Sequence, residues 1–342
     1  MEIIASAVFT ECHNYSSGPN IAIFQRFQQA WKNINSEDYL TIEEELNEKE
    51  VIVDFCQNQL MNMNTQPRDD YREMLELAII YLGGTPHRGI RFYKPGALHQ
   101  ARWMARVIYT IKICLFRSQF SMNKRELTAM QRFALFSVRV YIRAWFQAPL
   151  AAAAPSNDLS FLKQLISYED KHISKAAVIA FSRHMWYLSE VLVSLAFFDP
   201  NIDVLMKRQM VLALSENESS GYVLKMINVE QELQNFGEKT VANFVTKASR
   251  RFFEILGIPS DFLAFDPEEW EGRPDYNACR EVVRKLKVVN DFAERGVALM
   301  QEFNSILTKD EEQKQYVLQV VEEHRRKFPD AKKPRLELLD RE

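Results

Sequence analysis

Glycine and proline are scarce in this chain, with 10 and 12 of them in 342 residues. A sheet-rich protein of this length needs many more turn residues, so helices are favoured. The apolar pattern agrees. Ile21, Phe24, Phe27 and Trp31 recur at helical spacing across 19–34. Asn123 with Glu126 three residues on forms a capping-box signature, opening a helix that reaches about Phe146. The spacing predicts further helices over 51–63, 69–82 (stopped by Gly83-Gly84-Thr85-Pro86), 97–120, 158–168, 171–197, 203–215, 239–256, 276–286, 292–306 and 309–327. In 97–120 the core face is Trp103, Val107, Ile111 and Cys114/Leu115. Residues 149–157, with four consecutive alanines, read as a loop, and 266–274 as an acidic loop. The expected fold is mainly α, a large multi-helix, bundle-like domain with at most one or two short strands, near 88–92 and 285–289. Residues 1–215 form the helical body and 216–330 a C-terminal helical segment. Residues 331–342 are a disordered tail.

Hydrophobic residues make up 47% of the chain, enough for a sizeable core. The net charge of -3 means that any polyanion binding comes from a local basic face rather than from the molecule as a whole. Cys12, Cys56, Cys114 and Cys279 are far apart in sequence and form no CxxC pair, as expected of reduced thiols in an intracellular protein. The N-terminus is apolar but short and has no basic leader. No run reaches the 18 or so uncharged apolar residues of a membrane span, so no membrane is expected.

Three groups of residues carry chemical interest, each with a plainer alternative. Arg102-Trp103 can stack on a base and hold a phosphate, or Trp103 is core and Arg102 snorkels. Arg88, Arg91, Lys94, Arg102 and Arg106, with Phe92 and Tyr93 interleaved, offer a phosphate-binding stripe. Arg117, Lys124, Arg125, Arg132, Arg139 and Arg143 extend it. The alternative is a solvated face paired with the acidic segment 36–50, which holds six Glu and one Asp. Asp291 and Glu294 open a late helix beside Arg295, either as a metal-binding acid with its neighbour or as acids favourable to the helix dipole. No HxxxH, GxGxxG, P-loop or GxSxG occurs. Nothing supports Cys12-His13 as a nucleophile pair.

The order of two of these elements carries a resemblance. Ala101-Arg102-Trp103 on a helix is followed by about 190 mostly helical residues and then Asn290-Asp291-Phe292-Ala293-Glu294-Arg295. This resembles the second half of an RNase H-like transposase of the hAT-like type. The resemblance implies that Trp103 and Arg102 handle a flipped or hairpin DNA end. It also implies that Glu294, beside Arg295, matches the third metal-binding acid. The family's first two acids lie on strands upstream of the helical insertion, and this chain has no such strands. The expectation is therefore a transposase-derived, catalytically inactive helical protein, intracellular or nuclear, binding DNA, protein partners or further copies of itself. No cofactor is expected; Mg²⁺ enters only if acids from elsewhere complete the site around Glu294. The alternatives are a subunit that completes a metal-dependent strand-transfer site, and a purely structural interaction protein.

Overall fold

A computed structural model describes residues 1–13, 21–62, 69–95, 105–148, 150–215, 236–286 and 288, and all of these belong to one compact unit spanning 1–290. The architecture is mainly α, with no strand among the described residues. In chain order the helices are α1 (Glu2–His13), α2 (Ala22–Ala30), α3 (Lys49–Met61), α4 (Asp69–Tyr81), α5 (Ala105–Leu115), α6 (Lys124–Phe136), α7 (Ile142–Gln147), α8 (Ala154–Ser167), α9 (Lys171–Ser182), α10 (Val204–Ala213), α11 (Arg251–Leu256) and α12 (Pro274–Lys285). Short 3-10 turns connect several of them.

The centre is built by α4 and α5. Every residue of α5 except Arg106 is buried. Its sequence is rich in Val, Ile and Thr, which are indifferent helix formers, so packing on several sides holds it helical. It contacts α4 on one side and α6 on another, while α1 packs across α6 and α9. The Asn123 cap forms as the sequence predicts. Glu126 N donates to Asn123 Oδ1 at 2.9 Å, and Asn123 N donates to Glu126 Oε2 at 3.0 Å. The same carboxylate receives Arg26 from α2 at 2.6 Å, which ties two helices through one cap. The run continues through a π turn at Ser137–Tyr141 into α7, so the helix from 123 to about 146 is present as one continuous element.

Four expectations are corrected. The stretch 149–157 is not loop throughout. Ala154 opens α8 with Pro155 in its first turn, where a missing N–H costs nothing and alanine favours the helix. The predicted helix 171–197 stops at Ser182. It gives way to 3-10 turns at Trp186–Leu188 and Leu192–Phe198, the second of which is tied to the C-terminal part of the unit. Ser194 Oγ donates to Ser249 O at 2.8 Å, and Tyr276 Oη donates to Phe197 O at 3.2 Å. The predicted helix 239–256 is broken into Val241–Phe244, Lys247–Arg250 and α11, because Thr240 and Thr246 cap the pieces separately. The acidic loop 266–274 is a 3-10 turn capped by Asp266, with Trp270 fully buried among Phe197, Phe262 and Tyr276. In 97–120, the described helix spans Ala105–Leu115, with Val107, Ile111 and Cys114/Leu115 in the core as expected.

The sequence division at residue 215 falls after α10. Residues 236–286 share the core with α8 and α10. No helix among the described residues is long and apolar enough to cross a membrane.

Candidate nucleic-acid interface

Helix α4 ends at Gly83, whose φ of +79° is left-handed. Gly83 N donates to Ile80 O at 2.9 Å and Gly84 N to Ile79 O at 2.8 Å, closing the helix end. The chain then turns over buried Pro86, with Gly89 N donating to Pro86 O at 2.9 Å and Gly89 at φ +78°. Residues 88–94 are basic and form neither helix nor strand. Arg88, Arg91, Tyr93 and Lys94 are exposed. None of the three cations makes an ion pair among the described residues.

The turn is not loose. Phe92 packs its ring against Tyr39 at 5.4 Å and Phe116 at 4.9 Å. Beneath it lies Lys112, 1% exposed, whose Nζ donates to Tyr93 O at 2.6 Å. The same ammonium forms an ion pair with Glu73 and lies 5.7 Å from the Trp31 ring. Burial lowers the pKa of Lys112, outweighing the Glu73 carboxylate. Glu76, also buried, is pushed up by desolvation, while Arg72, Arg88 and Arg91 pull it the other way. The two exposed arginines therefore share their field with one buried acid.

The other basic residues behave differently. Arg106 is only 16% exposed and lies 3.9 Å from Glu2 of α1. Arg117 donates to Leu40 O, Cys114 O and Thr41 O and pairs with Glu43 at 2.8 Å. Arg139 holds Glu48 at 2.6 Å and also pairs with Glu169. Arg132 pairs with Asp170 at 2.7 Å, and Arg143 lies over the Phe55 ring at 5.6 Å. The acidic segment 36–50 thus takes up part of the basic stripe through Glu43 and Glu48.

Arg102, Trp103, Glu294 and Arg295 lie outside the described residues, and no metal-dependent step is assigned to Glu294. Among the described residues no three His, Cys, Asp or Glu side chains converge to hold a metal. Cys12 and His13 are both buried, and His13 stacks on Phe9 at 4.0 Å. Burial pushes the Cys12 thiol up to about 12, which disfavours the thiolate a nucleophile needs. Sequence reasoning missed Lys112 as the anchor of the turn. Its signal was there, a single cation inside the apolar run Thr110-Ile111-Lys112-Ile113-Cys114-Leu115.

No family model, no curated protein and no solved structure matches this chain.

Proposed function

We propose that this chain is a transposase-derived helical protein that binds nucleic acid without catalysing strand transfer, and that the basic turn 88–94 is part of its binding surface. One observation carries the reading. Arg88, Arg91 and Lys94 stand exposed and without ion pairs among the described residues, with Tyr93 beside them, while Arg117, Arg132 and Arg139 are paired with acids. Exposed cations that hold no ion pair, with the buried Glu76 carboxyl in the field of the two arginines, take up phosphates without first breaking an internal pair. An exposed tyrosine beside them offers a face on which a base can stack. The turn leads directly into 96–104, where Arg102 and Trp103 lie, so the resemblance and the described geometry point to neighbouring stretches of chain. A nuclear location accords with this reading.

The test is binding of a fluorescent DNA hairpin across a salt series, for the whole chain and for Trp103→Ala and Arg88→Ala/Arg91→Ala. The reading expects affinity that falls steeply with salt and drops in both variants.

A second reading is an interaction protein with no nucleic-acid role. It is favoured by the acidic segment 36–50, which neutralises Arg117 and Arg139. Absence of binding at low salt selects it.

A further inference from the structure

We propose that the face formed by residues 37–40 and 88–94 pairs with the same face of a second copy of this chain, about a two-fold axis. The Tyr39 and Phe92 rings, 5.4 Å apart, join the acidic stretch to the basic turn. Both stretches are fixed on α5 and the turn after it. Leu40 N donates to Leu115 O at 2.7 Å, Lys112 donates to Tyr93 O, and Phe92 packs on Phe116. Around that junction three large apolar side chains stand in water: Leu40 at 37%, Ile90 at 39% and Tyr93 at 52% exposed. Exposed Glu37 and Asp38 belong to the stretch that carries Tyr39 and Leu40, and exposed Arg88, Arg91 and Lys94 to the one that carries Ile90, Phe92 and Tyr93.

An apolar centre between one acidic and one basic arm is self-complementary. Rotation by 180° about the centre lays the acidic arm of each copy on the basic arm of the other, as an isologous contact requires. The apolar centre then leaves water, with opposite charges at the rim. A nucleic acid matches only the basic arm and meets repulsion at Glu37 and Asp38. A second copy satisfies both arms and covers the apolar side chains. Pairing and nucleic-acid binding therefore compete for Arg88 and Arg91.

The experiment is analytical ultracentrifugation of the full chain over a range of concentration and salt. The variants are Arg88→Glu/Arg91→Glu, Glu37→Lys/Asp38→Lys and Leu40→Ser, each checked for native circular dichroism. The wild type is expected to dimerise, less so as salt rises. Each charge reversal weakens dimerisation by about tenfold or more, since like charges then oppose across the axis. Leu40→Ser weakens it without changing the salt dependence. An equimolar mixture of the two reversed variants regains the dimer, because every arm again meets its opposite. A wild type that is monomeric throughout overturns the proposal, as does a dimer indifferent to both reversals or a mixture that stays monomeric. Glu37→Lys/Asp38→Lys separates this inference from the functional reading, because it loses the dimer but keeps or strengthens hairpin binding.

Discussion

Lys112→Met tests the claim that a buried ammonium holds the basic turn in place. The substitution keeps the apolar stem but leaves Glu73 without its cation and Tyr93 O without its donor. Removing one partner of a fully buried pair costs about 3–5 kcal/mol. Glu73 keeps 18% of its side-chain surface and can rehydrate in part. The expected loss is therefore nearer ~2–3 kcal/mol, or about 3–5 °C in Tm for a unit of this size. Burial lowers the Lys112 pKa despite Glu73, so the pair does not recover the whole cost of leaving water. The double variant Glu73→Gln/Lys112→Met should then return to within about 1 kcal/mol of wild type, or exceed it. Urea denaturation followed by circular dichroism gives the midpoints, with the slope unchanged. A second readout is local: trypsin should cut faster after Arg88 or Arg91 in Lys112→Met. A single variant with an unchanged midpoint and unchanged cleavage would refute the reasoning.

Other perturbations have equally definite outcomes. Glu126→Gln weakens both the α6 cap and the Arg26 pair, at about 0.5–1 kcal/mol near neutral pH. The hydrogen bond from Arg26 holds the Glu126 pKa below its usual 4.5, so its contribution is present above that value and lost as pH falls through the lowered one; thermal melts of the two proteins should converge in acid. Gly257 caps α11 at φ +61°, with Ile258 N bonded to Phe253 O at 3.0 Å, and Gly257→Ala should cost about 1 kcal/mol in urea denaturation. Trp270→Ala empties a fully buried site among three aromatic rings and should cost about 3–5 kcal/mol, enough to lower the thermal midpoint by roughly 5–8 °C.

Much of the fold is legible where local chemistry decides it. The Asn123–Glu126 box, the stop at Gly83-Gly84 and the apolar face of α5 all follow from neighbours within a few residues. The failures have separate causes. Leu192–Phe198 carries an unbroken apolar run that reads as helix, yet its groups bond to Ser249 and Tyr276, more than fifty residues away. Val245-Thr246 looks like mid-helix until the Thr246 side chain is seen capping Ala248 N. Asp266–Pro274 reads as an acidic loop because its charges hide the buried Trp270; Arg208 and Arg280 hold Asp266, Glu268 and Glu271 at the surface. At the candidate site, the basic and aromatic character of 88–94 is plain from sequence. Which arginines remain unpaired depends on where the segment 36–50 crosses the molecule, and periodicity carries no such information.

The most direct test of the central claim is the salt dependence of hairpin-DNA binding by wild type and Arg88→Ala/Arg91→Ala, with Arg208→Ala as the control already engaged by Asp266 and Glu268. The account predicts steeply salt-dependent binding, a slope reduced by about one for each turn arginine removed, and no change for Arg208→Ala. Binding that survives loss of both turn arginines with its slope intact, or no binding even at low salt, would contradict it.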